Sequence, residues 1–164
     1  TIAREAVSKL SALAAGRGVR LLIEGSDVAP LSADRERLLQ VMTNLIGNAI
    51  KFTAADSVIR INWAAIEMMP DASDAHGSPG WRVTVIDAGP GIPAGEEEAI
   101  FDKFVQSSGT STGAGGTGLG LAICREIISR HHGRITASNA PEGGACFTFA
   151  LPSDPPTIEE GGNP

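Results

Sequence analysis

An excess of positive charge is the first thing this sequence lacks: 13 Lys and Arg stand against 19 Asp and Glu, for a formal net charge of −6. Such a balance offers no broad basic field to a polyanion, so nucleic acid is excluded as the main partner. An anionic ligand would need a local basic or dipolar pocket. Cysteine is scarce. Cys124 and Cys146 show no CxxC spacing and sit in apolar stretches, which reads as two small core hydrophobes in a reducing compartment. No apolar run approaches the roughly 20 residues of a membrane span, and the N-terminus lacks the apolar core of a secretion signal. Direct membrane contact is therefore not expected. The opening TIAREAVSKL has no initiator Met, as in an excised domain, which leaves membrane attachment of a parent protein open.

What is present is an ordinary globular balance. With 164 residues, 42% hydrophobic and 20% charged, one domain with a sizeable core is expected over residues 1–152, followed by a Pro- and Gly-rich tail or linker over 153–164. Helical spacing of apolar residues predicts helices over Ile2 to Ala15, Ala33 to Phe52 and Leu119 to His131. Gly16 is expected to end the first helix in a left-handed conformation, and Ser32 or Asp34 to cap the second. Short apolar or alternating runs predict strands over Val19 to Glu24, Val58 to Ile66, Trp81 to Asp87, Arg134 to Ser138 and Ala145 to Leu151. Glu96 to Val105 reads as one or two helical turns, and MPDASDAHGSPG (69–80) as a loop. SSGTSTGAGG, between Gln106 and Gly116, has almost nothing to bury and reads as a mobile lid. The order implies an α/β fold: a two-layer sandwich with a mixed sheet of about five strands and three helices on one face.

Three segments carry chemistry. Asn44, Asn48 and Lys51 lie at spacings of four and three on the second helix and so share one face. Amides within an apolar helical face need hydrogen bonds or a ligand, so they are either structural amides or a binding surface. Asp87 ends a strand beside Gly89 and Gly91, which suits either a turn aspartate or an acceptor for an exocyclic amine such as that of adenine. Gly116, Gly118 and Gly120 stand at a helix start, where free N–H groups and the helix dipole favour phosphate; a glycine hinge without a ligand is the alternative. No Lys-Ser/Thr pair follows these glycines and no strand precedes them, so neither the P-loop nor the dinucleotide-binding pattern applies. Taken together, the three segments outline a nucleotide site.

In order and spacing they resemble the catalytic ATP-binding domain of sensor histidine kinases, within the wider ATPase family of gyrase, Hsp90 and MutL. NLIGNAIKFT is similar to the N box, DAGPGIP to the first glycine box, IFDKFVQ to the F box and GGTGLGLAIC to the second glycine box. The resemblance implies a Bergerat-type fold with ATP and Mg²⁺ as ligands. It gives Asn48 the metal, Asn44 and Lys51 the phosphates, and Asp87 the adenine amine, with Gly89, Gly91 and Ile92 shaping the base pocket. Phe101 and Phe104 would anchor the lid, while Gly116, Thr117, Gly118, Leu119 and Gly120 would lie along the phosphates. Thr148 would hold a water beside Asp87.

Within that family, members that hydrolyse ATP unaided carry a glutamate base four residues before the metal asparagine, and here that position is Asn44. The resemblance therefore implies a histidine kinase catalytic domain in the cytoplasm. Its partners would be the dimerisation and histidine phosphotransfer domain of a parent kinase and the receiver domain of a response regulator. A self-sufficient ATPase and a nucleotide-sensing interaction module are the rival readings. RHHGRI departs from the family pattern, with His132 where a glycine is usual; His131 and His132 read as helix-end residues rather than phosphoacceptors.

Overall fold

The three helices form where the apolar spacing predicts them: α1 at Ile2–Gly16, α2 at Arg35–Phe52 and α3 at Gly120–Arg130. The computed structural model describes residues 1–25, 31–68, 78–105 and 118–154. In α2 the side chains of Leu38, Val41, Met42, Leu45, Ile46 and Ile50 are all buried. At roughly 1.5–3 kcal/mol for each large aliphatic side chain fully buried, this face outweighs the weaker helix propensity of Thr43, Asn44 and Asn48. Of the two candidate caps Asp34 is used, its Oδ1 accepting from the Arg37 N–H at 3.0 Å.

Among the described residues five strands make one mixed sheet: β1 Arg20–Gly25, β2 Val58–Met68, β3 Ser78–Ile86, β4 Arg134–Asn139 and β5 Ala145–Pro152, in the order β1-β2-β3-β5-β4. β1 and β2 are parallel and every other pair is antiparallel. Alternation puts Ile59, Ile61, Trp63, Val85, Ile135, Phe147, Phe149 and Leu151 into one core with the helices. Arg60, Thr84, Thr136 and Thr148 lie on the other face. This is the expected two-layer architecture. Cys124 is buried in the core, but Cys146 is only half-buried. It alternates with the buried Ala145 and Phe147, which puts it on the face away from the helices and corrects its assignment to the core.

Other corrections are local. Ser78, Pro79 and Gly80 belong to β3 rather than to a loop, because pairing runs out to Met68 opposite Ser78. Ser-Pro-Gly reads as a turn by composition, yet a Cβ on Gly80 would strike Met68 and the Leu151 carbonyl at 2.6–2.7 Å; sheet packing overrides local preference. Residues 69–77 and the expected lid, 106–116, lie outside the described residues. Only Ala99–Phe101 of the expected 96–105 turns is helical, as a short 3-10 turn. Ser153, expected in the tail, is held on both sides: its N–H donates to the Pro79 carbonyl at 2.9 Å and its carbonyl accepts from Ser32 at 3.2 Å.

Helix ends repay attention because two share one geometry. After α1 the left-handed residue is Gly18 (φ 67°), not Gly16. The Val19 N–H donates to the Ala14 carbonyl at 2.9 Å and Gly18 to Ala15 at 3.0 Å, the doubly bonded glycine-type helix stop. α3 closes the same way on His132 (φ 57°), with Gly133 bonded to Ile128 and His132 to Ser129. A left-handed L-residue costs roughly 1–2 kcal/mol relative to its ordinary conformations. His132→Gly is therefore expected to raise stability by about 1 kcal/mol, after some loss to the added freedom of the unfolded chain; the urea unfolding midpoint checks it. His131 also serves the helix end. Its Nδ1 lies 2.8 Å from the Ile127 carbonyl and its Nε2 accepts from the Asp34 N–H at 3.1 Å, tying the end of α3 to the start of α2.

Candidate functional site: a nucleotide pocket at the end of α2

The last turns of α2 meet the loop that follows β3. Thr53, the C-terminal cap of α2, is buried and its Oγ1 accepts from the Ala88 N–H at 3.3 Å. Gly89 passes so close that a Cβ would stand 2.8 Å from the Phe52 carbonyl. Only glycine fits there. Asp87 sits immediately before this contact, 6% exposed. Its Oδ1 accepts from the backbone N–H groups of Gly89 and Ala145, both at 2.9 Å. Oδ2 accepts nothing from the described residues, so one lone-pair edge of a buried carboxylate is kept for something else. Burial pushes the Asp87 carboxyl above its ordinary value of 3.8, and the two N–H groups hold that rise back.

Asn48, within the last turns of α2, is half-buried and its amide has no hydrogen-bond partner among the described residues. Lys51 is also half-buried, with its Nζ 4.9 Å from the Phe52 ring centroid and no ion pair among the described residues. Asn44 differs, since its Nδ2 donates to the Gly120 carbonyl at 3.4 Å, linking α2 to the first turn of α3. Asn44 is thus partly the structural amide that the sequence left open.

The start of α3 is unlike the start of α2. Leu119 stands at its N-cap with no side-chain capping bond and no acidic residue in the first turn. The first N–H groups of this helix therefore have no cap acceptor among the described residues, the arrangement that suits phosphate oxygens. A Cβ on Gly120 would meet nothing within 4 Å, so protein packing does not demand glycine there. Gly118 (φ 66°) is demanded: its carbonyl accepts from the Phe104 N–H at 3.0 Å, and a Cβ would meet the Phe104 backbone at 2.9 Å. Gly116 and Thr117 lie outside the described residues.

The two phenylalanines part company. Phe101 is buried, edge-on to Phe147 with centroids 6.4 Å apart, and Arg125 stacks over it while bonding Asp102 at 2.7 Å. Phe104 is 75% exposed, and the contact it makes here is the backbone bond to Gly118. Thr148 is a plain correction. It pairs with Thr84, with hydroxyls 3.3 Å apart, three residues along β5 from Ala145. The Thr148 side chain lies with Thr84 and Thr136 on the face away from the helices, whereas the Asp87 side chain, two residues past the core-facing Val85, is on the helix side. The Ala145 N–H that holds Asp87 and the Thr53 hydroxyl that holds the next residue, Ala88, were missed. Thr53 closes the NLIGNAIKFT motif and was the readable signal; a backbone N–H leaves none.

Residues 33–155 match the family described as histidine kinase-, DNA gyrase B-, and HSP90-like ATPase. The chain belongs to this family. The adaptive-response sensory kinase SasA of Synechococcus sp. (strain CC9311) is 38% identical over 154 residues, which cover 93% of this chain and 37% of SasA. The chain thus spans little more than a third of that relative. The catalytic domain of the histidine kinase ThkA, nucleotide-free, superposes with a TM-score of 0.73 at 30% identity, covering 94% of this chain and 93% of that one. ThkA in complex with its response regulator TrrA gives 0.73 at 29%, covering 94% and 40%. Full-length ShkA with AMPPNP gives 0.71 at 29%, covering 94% and 30%. The ATPase domain is accordingly of the histidine kinase type, and its sheet and three helices are those of histidine kinase catalytic domains.

Proposed function

We propose that this domain binds ATP with Mg²⁺ and delivers the γ-phosphate to a histidine on a separate helical dimerisation domain of a parent kinase. From there the phosphate passes to an aspartate on the receiver domain of a response regulator. Asn44 carries this reading. An amide cannot take a proton from water near neutral pH, and this one is bonded to the Gly120 carbonyl. With no base at that position, hydrolysis within the chain is disfavoured. What remains for the protein is positioning and charge stabilisation, with the nucleophile brought in line from outside.

In this reading the free Oδ2 of Asp87 accepts the adenine amine and Ile92 closes the base pocket. Lys51 offers its charge to the phosphates, the uncapped start of α3 offers N–H donors, and Gly116, Thr117, Gly118, Leu119 and Gly120 are the residues assigned to the phosphates. The donor set suits Mg²⁺: Asn48 presents a hard, neutral, unengaged oxygen, and this ion takes few protein ligands beside phosphates and water. When bound it would neutralise phosphate charge. The TrrA complex of ThkA and the AMPPNP complex of ShkA support the partner and ligand classes. The proposed setting is the cytoplasm, and among the described residues no helix is long and apolar enough to cross a membrane.

Two measurements test the proposal. The chain alone, given ATP and Mg²⁺, is expected to bind nucleotide while releasing phosphate at background rate. Adding the acceptor domain of the parent in trans is expected to yield acid-labile phosphohistidine. Brisk steady-state release by the chain alone, or no phosphohistidine after the addition, would overturn it.

A further inference from the structure

The β4–β5 hairpin touches the loop that follows β3 at both ends. At the start of the loop, the Asp87 N–H donates to the Ala145 carbonyl at 2.9 Å and the Ala145 N–H returns a bond to Asp87 Oδ1. Gly144 (φ 87°) lies so close to the Asp87 carbonyl that no Cβ could be placed there. At the far end stands Asn139, the last residue of β4. Its Oδ1 accepts from the Ile92 N–H at 2.7 Å and its Nδ2 donates to the Ile92 carbonyl at 2.8 Å. One side chain thereby satisfies both backbone groups of a residue 47 positions away, in the manner of a strand partner. Gly91 (φ 79°) gives it room, since a Cβ would stand 2.5 Å from the Asn139 Oδ1.

We propose that Asn139 is a positioning residue for base recognition: its amide fixes the Gly91–Ile92 end of the loop, so that Ile92 and the Asp87 carboxylate hold a set separation to receive adenine. The proposal rests on the nucleotide reading of the site. The geometry favours this role over general stabilisation because the Asn139 residue is itself exposed. Little is buried with it, while the residue it holds, Ile92, is 7% exposed. Both groups of the amide are needed. Aspartate has the same shape and could still accept from the Ile92 N–H, but it would set a carboxylate oxygen against the Ile92 carbonyl.

The experiment measures affinities for Mg·ATP, Mg·GTP and Mg·tripolyphosphate by calorimetry on the chain and on Asn139→Ala and Asn139→Asp. Asn139→Ala is expected to weaken ATP about tenfold, the scale of one to two net hydrogen bonds, and to narrow the ATP/GTP preference with it. Tripolyphosphate, which has no base, should bind as before, and this also shows that the variant is folded. Asn139→Asp should be no better than alanine. Unchanged ATP affinity in Asn139→Ala, full recovery in Asn139→Asp, or equal loss of ATP and tripolyphosphate would each overturn the positioning role while leaving the nucleotide site standing. Failure of the unaltered chain to bind ATP would overturn the site and the proposal together.

Discussion

Asn48→Ala is expected to weaken binding of Mg-nucleotide about 100-fold or more and to bring phosphotransfer in the parent below detection, while the unliganded domain keeps or slightly gains stability. The signs are opposite for one reason. Asn48 has no partner among the described residues, so its removal leaves no orphaned group inside the protein, and alanine is a better helix former than asparagine by about 0.7 kcal/mol. Even groups that only support a metal ligand typically matter 10–100-fold to metal affinity, and Asn48 would be the ligand itself. Calorimetry with ADP in the presence and absence of Mg²⁺ separates the cases: the metal-free affinity should barely move. If both affinities fell together with the unfolding midpoint, Asn48 would be a structural amide and the assignment would be lost.

Asp87→Asn should have an effect of similar size by another route. The asparagine carbonyl can take over the Gly89 and Ala145 bonds that Oδ1 accepts at 2.9 Å. Its NH₂ then occupies the place of Oδ2 and, in the proposed binding mode, would face the adenine amine, donor against donor. Loss of a charge-assisted bond with an unsatisfied group in its place amounts to about 3 kcal/mol, or more than 100-fold in ATP affinity.

Stability should move the other way. Burial raises the Asp87 carboxyl above 3.8 in the folded state, so the folded chain holds this proton more tightly than the unfolded one. The favourable contribution is complete below the unfolded value and is lost as pH rises through the folded one. At neutral pH the native domain carries the whole penalty of a buried charge and the amide variant does not. Thermal unfolding should therefore find Asp87→Asn more stable at pH 7, with the gap closing as pH falls toward 3.8. A variant that lost stability at pH 7 would mean that the carboxylate is held for structure.

How much of this was legible in the chain depends on the kind of information needed. The helices and strands were readable because burial imposes its period on the residues: the face from Leu38 to Ile50 has the helical spacing, and the run from Ala145 to Leu151 alternates. The Asn44, Asn48 and Lys51 face was readable because polarity within an apolar face requires a reason. Contacts made by backbone groups were not. Nothing in Ala145 announces that its N–H meets Asp87, and Thr148, the polar residue nearby in sequence, drew the role instead. Phe104 drew notice for its aromatic type, while its left-handed main chain (φ 65°) bonded to Gly118 left no mark in the sequence. Asn139 drew no role, since asparagine is common in turns for reasons of its own; only the fold brings Ile92 within its reach.

The sheet order has a consequence for when the domain can begin to work. Among the described residues β5 is the last strand, but it lies between β3 and β4, and it is β5 that brings Ala145 to Asp87. As the polypeptide leaves the ribosome, α2 with Asn48 and Lys51 is made early, yet the surroundings of Asp87 are unfinished until β5 slots into the middle of the sheet. Such non-local pairing comes late in folding. In the proposed reading, nucleotide capture is therefore a property of the completed domain, and a chain halted before residue 145 would carry Asn48 and Lys51 without the strand that holds Asp87.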